Sequence, residues 1–485
     1  MLHFKTIFNV LGTLLFIEAF LMILCLAVAF YYGEEDTLAF IISILTTLCA
    51  AFVLKNAGRD SDNTLSRRDA YLLVTLTWVV FSFFGTLPFL IGGFLDNFTD
   101  AYFETMSGFT TTGASVIDDV TEMPRGILFW RSLSQWIGGL GIVFFTIALL
   151  PSMVGGSVRV FAAEATGPLR AKLHPRLSTN AKWLWSIYIF LTLACIGSFF
   201  LCGMTWYEAL NYAMTSTATG GFAIHNDGLG HFHCASVEYV CTLFCFLSGV
   251  NFTLLYFTVS RLSPRELLRN AEFRFYGIVT LLCTVFVMAL LLATGNYGVE
   301  HAFRSAIFQV VSFITSTGLF NEDVAQWPVA AVIVLVACMV IGASSGSTSS
   351  GIKSIRAVML LKIAQNEFRQ ILHPNAVLPL RLNGQNIPQQ KRVTLLAFLT
   401  IFMLLCGLMF TLLMACDIGT VNSVKITLSC ICNVGPSLDT GVGPNISWSS
   451  LPTLVKWACS AMMLIGRLEI FSVLIIFTRA FWKEN

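Results

Sequence analysis

Charged residues and the usual signatures of catalysis are scarce in this chain. Only 12% of its 485 residues are charged, and its 14 cysteines include no paired Cys-x-x-Cys spacing. It has no His-Glu-x-x-His run, no Gly-x-Gly-x-x-Gly fingerprint after a strand, and no cluster of serine, histidine and aspartate within its apolar stretches. These absences argue against a metalloprotease, a dinucleotide-binding enzyme and an intramembrane hydrolase. We therefore expect no enzyme activity and no cofactor bound by this chain.

Long apolar runs are abundant. Hydrophobic residues make up 56% of the chain, and the mean hydropathy of +0.76 lies far above that of a soluble domain. Because about 20 apolar residues span a bilayer as a helix, these runs predict an all-α polytopic membrane protein surrounded by lipid. The ten candidate spans are residues 7–32, 37–56, 70–95, 127–150, 182–203, 236–260, 275–294, 328–341 with a continuation to 365, 393–415 and 453–480.

The net charge of +2 conceals a separation of charge along the chain. Lysine and arginine concentrate near 55–68, 159–182, 261–274 and 353–392 and at both termini, whereas acidic residues lie in the alternate connections. The positive-inside rule places the basic side and both termini in the cytoplasm. The acidic outer side would attract cations, although topology signalling alone also explains the pattern. We expect no nucleic-acid partner, and we expect the first span to be retained because no clear cleavage site follows it.

Four short polar segments recur at intervals of about a hundred residues. Each follows an apolar stretch of about a dozen residues, which is too short to cross a bilayer, and each lies between two full spans. One such segment would be an ordinary turn, but four in the same context predict re-entrant pore loops. They are Thr110 to Ala114, Thr217 to Gly221, Thr315 to Leu319 and Cys432 to Pro436, with Gly113, Gly220, Gly318 and Gly435 as the central glycines.

These segments have the chemistry of an ion filter. Non-helical backbone at membrane depth is tolerated only where it is buried in protein or lines a wet cavity. Glycine permits backbone angles that let successive carbonyls face one axis, where they replace the hydration shell of a monovalent cation. Thr112, Thr219 and Thr317 precede the glycine in three segments, where a hydroxyl would hold the loop or face the ion, and Val434 replaces them in the fourth.

On these motifs the chain resembles the Trk/Ktr/HKT family of cation transporters, in its TrkH branch, over essentially its whole length. The resembling segments are Ser107 to Ser115, Thr219 to Phe222, Thr315 to Gly318 and Asn433 to Pro436. The resemblance implies four span, pore loop, span repeats around one pseudo-fourfold pore, two extra N-terminal spans, and a homodimer in the bacterial inner membrane. It also implies a TrkA-like cytoplasmic nucleotide-binding ring as regulatory partner, docking near 159–182 and 353–392.

Potassium is the substrate that the resemblance implies. Members that favour sodium often have serine at the position of Gly113, and all four glycines favour potassium. The expected potassium-binding filter residues are Thr110, Thr111, Thr112, Gly113, Ala218, Thr219, Gly220, Gly221, Ser316, Thr317, Gly318, Leu319, Asn433, Val434, Gly435 and Pro436. The expected regions are 1–68 for the two N-terminal spans, then 69–180, 181–270, 271–389 and 390–485 for repeats 1 to 4.

A second unusual feature interrupts the span that leaves the third repeat. Residues 342–351 are ten small or polar residues, which cannot continue a lipid-facing helix. The run nearly matches a phosphate-binding loop, but Ile352 separates Gly351 from Lys353 and no strand precedes it. A flexible linker is another reading. The resemblance implies an intramembrane gate formed by this loop, with Gly342, Gly346 and Gly351.

Arg467 lies within the last apolar span, where a charge is costly and faces a cavity or a partner. We expect it to point into the pore and to bind carbonyls of residues 342–351, a gating role that the resemblance supports. A snorkelling or dimer-contact arginine is the alternative.

Two questions stay open at this level. Proton- or sodium-coupled symport and a less selective potassium and sodium channel compete with a gated potassium channel, and a proton relay would draw on Glu18, Glu104 or Glu469. Glu104 is either a buttress of the filter or a charge at the outer mouth. The stretch from His225 to Cys234 has ligand-type side chains without zinc spacing, so we expect a polar loop and no transition metal.

Overall fold

The computed structural model describes residues 2–59, 65–141, 177–261, 263–376, 378–436 and 448–483. Its first two helices, α1 (Phe4–Tyr32) and α2 (Thr37–Ala57), pack against each other. Both helices also pack against helices that follow. They are the two additional N-terminal spans that the sequence predicts.

Four similar helical units follow this pair. In each unit a long helix leads to a shorter helix, the shorter helix ends in a segment without regular structure, and a further helix follows. The first unit contains α3 (Arg67–Gly85), α4 (Leu87–Ile91), α5 (Phe98–Phe109) and α6 (Arg125–Leu140). The second contains α7 (Leu177–Leu201), α8 (Trp206–Ala218), α9 (Ala235–Ser248), α10 (Phe252–Arg261) and α11 (Arg265–Arg269). The third contains α12 (Ala271–Ala293), α13 (Val299–Ile314), α14 (Val329–Ile341) and α15 (Ser354–Leu372). The fourth contains α16 (Gln389–Ala415), α17 (Thr420–Cys432), α18 (Thr453–Arg467), α19 (Phe471–Leu474) and α20 (Arg479–Trp482).

The short helices α5, α8, α13 and α17 are the pore helices, and polar caps start two of them. Asn97 accepts a hydrogen bond from the Asp100 amide at the start of α5. Thr205 and Glu208 form a reciprocal capping box at the start of α8. Such caps satisfy amides that the first helical turn leaves without a partner. The boundary of a half-helix is therefore encoded locally, although its apolar face is buried only by neighbouring units.

The four units close into a ring through one repeated contact. The helix that follows each filter segment packs against the pore helix of the next unit: α6 against α8, α9 against α13, α14 against α17, and α18 against α5. Because the last contact returns to the first unit, the arrangement is cyclic. It is the pseudo-fourfold architecture that the repeats predict.

Two predicted spans are broken, which corrects the sequence analysis. The stretch 236–260 bends by 101° between α9 and α10, and the stretch 453–480 bends by 109° between α18 and α19. At the first bend, Asn251 Oδ1 accepts from the amides of Thr253 and Leu254. At the second, Glu469 and Ile470 both have positive φ. Apolar residues on both sides of each bend conceal the break from a hydropathy window.

Six helices in the described ranges are long and apolar enough to cross a membrane, and the two bent pairs raise this to as many as eight. The remaining two predicted spans are less complete. The stretch 127–150 is described only to Gly141, and the stretch 328–341 forms the 13-residue helix α14. The chain is thus a multi-pass membrane protein. The predicted basic segment 159–182 lies largely outside the described residues.

A small hairpin is the exception to the all-helical architecture. Strands β1 (Arg381–Leu382) and β2 (Gln385–Asn386) pair antiparallel across Asn383 and Gly384, which both have positive φ as a two-residue turn of this type requires. Leu382 is buried together with Met359 of α15 and Leu395 of α16. The hairpin therefore connects the helix after residues 342–351 to the fourth unit.

Candidate ion pathway

Each pore helix ends in the same backbone conformation. Thr111, Thr219, Ser316 and Asn433 all have φ between 51° and 58°, and two residues later Gly113, Gly221, Gly318 and Gly435 have φ between 75° and 91°. Between them, Thr112, Gly220, Thr317 and Val434 each donate a backbone hydrogen bond five residues back, to Ser107, Thr215, Ser312 and Ser429 respectively, at 2.8 to 3.1 Å. A left-handed residue followed by a hydrogen bond to the carbonyl five residues earlier is common at helix C-termini. The four repeated segments, which differ in sequence, therefore fold to one shape.

The four segments meet in a closed ring of glycines and carbonyls. A Cβ added to Gly113 would overlap the carbonyl oxygen of Gly220, and the same holds for Gly221 with Thr317, Gly318 with Val434, and Gly435 with Thr112. Each added atom would lie well under 3.0 Å from that oxygen, closer than real Cβ atoms approach. Glycine is the residue that fits at these four positions without a shift of the neighbouring backbone, because each position also has a positive φ. We call these eight residues the filter ring.

The ring corrects the register predicted for the second repeat. Gly221, and not Gly220, is equivalent to Gly113, Gly318 and Gly435, so the residue before the ring glycine is Gly220 and not Thr219. Gly220 and Gly221 are adjacent, so the sequence alone did not show which one is the ring glycine. The Thr-Gly pairs of the first and third repeats favoured Gly220, which was wrong. Only two repeats therefore have a threonine immediately before the ring glycine.

These two threonines brace the loops. Thr112 Oγ1 lies 2.9 Å from Thr110 Oγ1 and accepts from Asn433 Nδ2 at 3.0 Å, while Thr317 Oγ1 lies 2.7 Å from Thr315 Oγ1. Among the other predicted filter residues, Leu319 accepts through its carbonyl from Ser312 Oγ, and Gly435 accepts from Ser429 Oγ. Ala218 is buried at the end of α8, and Pro436 lies beside Gly318.

Buried polar side chains bind backbone groups that directly follow the filter segments of repeats 1 and 2. Glu104 of α5 accepts from the Val116 amide at 2.9 Å and pairs with Arg131 of α6 at 2.8 Å. Arg131 in turn donates to the Ala223 carbonyl at 3.1 Å and lies over the Phe222 ring. Both ends of the ion pair are almost fully buried. Glu104 thus has the position of a buttress, and its partner Arg131 was not assigned from the sequence.

Acidic side chains of α5 and α9 also have partners that spacing along the chain did not reveal. Lys456 binds Asp100 at 2.5 Å, and Arg304 lies 3.5 Å from Glu238. Each pair joins two different repeats. A single sequence without covariation contains no signal for such pairs.

An open vestibule lies outside the filter ring. It is lined by all four ring glycines and by outer-loop side chains that include Asp118, His225, Asn226, Phe320 and Trp448. His225 stacks on His231 with ring centroids 3.8 Å apart and contacts Glu208 at 3.2 Å. Burial, and next the neighbouring His231, lower the pKa of His225 despite Glu208 and Asp227. The described residues contain no group of three or more histidine, cysteine or acidic side chains suited to a metal ion.

Residues 342–351 form a buried loop on the other side of the filter, which we call the inner loop. It begins and ends at Gly342 and Gly351 and turns at Gly346, and all three glycines have positive φ. Thr348 Oγ1 donates to the Thr217 carbonyl at 3.1 Å, and the Ser350 amide donates to Ser316 Oγ at 2.8 Å. The inner loop therefore touches the undersides of two filter segments, a placement unlike that of a solvent-exposed linker.

Arg467 joins the inner loop to the first repeat. Its guanidinium donates to the Thr348 carbonyl at 2.8 Å and to Ser350 Oγ at 3.2 Å. It also donates to the carbonyls of Gly138 and Gly139 at the end of α6. Arg467 is only 9% exposed, so it does not snorkel toward the membrane surface.

Further charged side chains are buried against the inner loop, and two of them, Lys353 and Arg356, were predicted to lie in a basic cytoplasmic connection. Lys353, 1% exposed, donates to the Ser349 carbonyl and so belongs to the loop rather than to a phosphate site. Arg356, 6% exposed, pairs with Glu469 at 2.5 Å. Glu272 of α12 accepts from the Ser345 amide at 2.5 Å. The positive-inside rule counts such residues as surface charge because it contains no information on burial.

Comparison with known proteins is consistent with this geometry. A family model described as a cation transport protein, TrkH, matches residues 37–484. The Trk system potassium uptake protein TrkH of Halomonas elongata is 32% identical over 99% of both chains, and the TrkG protein of Escherichia coli is 31% identical over 99% of both. The crystal structure of the potassium transporter TrkH from Vibrio parahaemolyticus superposes with a TM-score of 0.90 at 31% identity, covering 99% of this chain and 100% of the other.

Proposed function

The chain belongs to the TrkH family of cation transport proteins, and from this premise we propose that it takes up potassium through the filter ring. The observation that carries the proposal is the cyclic contact of four glycines with four carbonyls. The potassium uptake function of its curated relatives agrees with it.

Potassium suits the chemistry of this ring. Carbonyl oxygens on a narrow axis replace the hydration shell of a monovalent cation, and they need no charged side chain at the site. The segments are braced by hydroxyls and by the buried Glu104 and Arg131 pair, so the carbonyls are held in place by the protein. Thr110, Thr111, Asn433 and the other predicted residues of the four segments complete this proposed site.

Control of conduction is proposed for the inner loop. It lies directly under the filter, and Arg467 holds it to α6 through carbonyls of two different repeats. A buried cation on the pathway also repels potassium. The proposed gate consists of the inner loop, with Gly342, Gly346 and Gly351, and of Arg467, which binds it. Displacing this loop would therefore open the pathway without altering the filter ring.

Channel-like uptake driven by the membrane potential fits better than symport. The potential supplies ~2.3 kcal/mol per charge per 100 mV. Of the three carboxylates that a proton relay would use, Glu104 pairs with Arg131 and Glu469 pairs with Arg356. Glu18 of α1 is fully buried, and its carboxylate lies beside Gly85 of α3 rather than in the filter ring. Paired carboxylates are poor proton carriers because their partners stabilise the charged form.

The proposed setting is the bacterial inner membrane, with both termini in the cytoplasm and two copies forming a homodimer. The basic connections support this orientation. A TrkA-like nucleotide-binding ring is the proposed regulatory partner, docking near 353–392, where the hairpin connects α15 to the fourth unit. The other proposed docking segment, near 159–182, lies largely outside the described residues.

Rubidium-tracer uptake into proteoliposomes tests the proposed function. Purified protein is reconstituted, and external potassium, sodium or lithium competes with the tracer. We expect strong competition by potassium and weak competition by sodium. Equal competition by the two ions would contradict a potassium filter. Absence of uptake both with and without the nucleotide-binding partner would contradict transport itself.

A further inference from the structure

One side chain outside the four filter segments contacts the filter ring directly. Gln135 of α6 is fully buried, and its Nε2 donates to the Gly220 carbonyl at 2.6 Å. Its Oε1 accepts from the Phe222 amide at 3.1 Å. The amide group therefore brackets Gly221 by binding the residue before it and the residue after it. A Cβ on Gly220 would collide with Gln135 at 2.5 Å, so the contact is also closely packed.

This contact breaks the fourfold symmetry of the ring. The Gly220 carbonyl occupies the same place as the carbonyls of Thr112, Thr317 and Val434, each of which faces the glycine of a neighbouring repeat. Within the described part of the chain, no hydrogen bond reaches those other three carbonyl oxygens. Among the described residues, the Gly220 carbonyl is thus the ring carbonyl whose oxygen also accepts from a side-chain donor.

The donor changes what that oxygen offers to an ion. A carbonyl that accepts an amide proton has one lone pair engaged and presents a weaker field to a cation on the axis. Sodium gains more than potassium from a strong field, because its charge is closer to its ligands. Weakening one of the four carbonyl ligands therefore reduces the binding free energy of sodium more than that of potassium.

The position of Gln135 is itself fixed by the helix that carries it. Arg131 lies one turn earlier on the same face of α6 and holds the next part of the same filter segment through the Ala223 carbonyl and the Phe222 ring. Glu104 in turn holds Arg131. The contacts of Arg131 thus keep α6 beside the filter segment, and the two hydrogen bonds of Gln135 hold its amide against Gly220.

We propose that Gln135 is a specificity-determining residue, which favours potassium over sodium by donating a hydrogen bond to the Gly220 carbonyl of the filter ring. The proposal rests on the proposed potassium filter. It assigns to α6 a role in selectivity beyond packing against the pore helix of the second repeat.

The test is the substitution Gln135→Leu, which has a similar volume and cannot donate. A matched control is Gln309→Leu, since Gln309 is equally buried in α13 and donates to the side chain of Asn321 instead of a ring carbonyl. Competition of sodium against rubidium uptake is measured for both and for the wild type. We expect the sodium concentration for half-inhibition to fall about fivefold in Gln135→Leu, as for the loss of one net hydrogen bond. Gln309→Leu should match the wild type.

Folding and the proposed function are separated within the same experiment. Thermal melting of each purified variant in potassium and in sodium shows whether it is folded. If Gln135→Leu gives no melting transition, Gln135→Asn replaces it, because the shorter amide cannot reach both backbone groups. Unchanged sodium competition in a folded Gln135 variant, or an equal change in Gln309→Leu, would overturn the proposal. A wild type without potassium preference would contradict the proposed function instead.

Discussion

The filter ring and the inner loop lie next to each other and are built in opposite ways. The ring is made of four copies of one backbone shape, and its contacts are between glycines and carbonyls. The inner loop exists once and is held by charged side chains of the third and fourth repeats, including Lys353, Glu272 and Arg467. Repetition places four backbone carbonyls in the same geometry around one ring, whereas a single loop anchored by a few side chains can be released without disturbing that ring.

Direct contacts connect the two regions at two of the four segments. The inner loop binds Thr217 of the second repeat and Ser316 of the third. If selectivity and control are divided between the two regions, changes in the ring should alter the preference for potassium over sodium. Changes in the inner loop should alter the flux.

The largest effect is expected from Gly113→Ser. The new Cβ would overlap the Gly220 carbonyl oxygen. The serine backbone would also have to adopt the φ of 82° that Gly113 has. We expect the potassium preference over sodium to fall by at least about tenfold, because the ring must widen or tilt. Competition of rubidium uptake by sodium measures it. Gly295→Ser is the control, since Gly295 has a φ of 76° with open space around it. An equal loss of potassium preference in this variant would show that the loss in Gly113→Ser does not come from the filter ring.

The next effect concerns the inner loop alone. Deleting residues 342–351, or joining Gly342 to Gly351 by removing the residues between them, should raise rubidium flux roughly tenfold with the potassium preference unchanged. The shorter deletion is feasible because a Cβ on Gly342 would be only 3.4 Å from the Gly351 Cα. Unchanged flux in a variant that elutes and melts as folded protein would contradict the gate.

A smaller effect is expected where the two regions touch. Ser316→Ala removes the hydroxyl that accepts from the Ser350 amide, and an unsatisfied buried amide costs about 1–3 kcal/mol. We expect rubidium flux to rise about threefold, with sodium competition nearly unchanged. Ser132→Ala is the control, because Ser132 is buried but donates only within α6. A large selectivity change in Ser316→Ala would show that the regions are not separable.

The smallest effect is expected at the outer vestibule. The pKa of His225 is lowered, so the imidazole stays neutral near pH 7 and gains a proton only below its usual range. Glu208, Asp227 and His231 are the other titratable groups that face it. External acid below that range should reduce rubidium uptake roughly twofold by placing a positive charge in the vestibule. His225→Gln should remove this dependence, and an identical pH profile in that variant would exclude His225 as its cause.

Much of the architecture could be predicted from the sequence, because repetition and hydropathy are local properties. The four pore loops, the two extra spans and the break at residues 342–351 all follow from apolar length and small polar runs. The ring register did not follow in the second repeat, since Gly220 and Gly221 are both glycine and only φ and close contacts distinguish them.

Burial and pairing between repeats were beyond such reasoning. Lys353 and Arg356 lie in a basic stretch that predicts a cytoplasmic surface, yet both are buried under the pore. Gln135 lies in an apolar helix at no special spacing from its ring partner Gly220, 85 residues away. Partners so distant in the chain are brought together by the cyclic packing of the units, and no local pattern records them.

The most direct test of the division between the two regions is the reversal potential of Arg467→Gln beside the wild type, with potassium on one side of the membrane and sodium on the other. Arg467 holds the inner loop and makes no contact with the ring carbonyls among the described hydrogen bonds. We predict a larger current at an unchanged reversal potential. A reversal potential shifted toward that of Gly113→Ser would contradict the account.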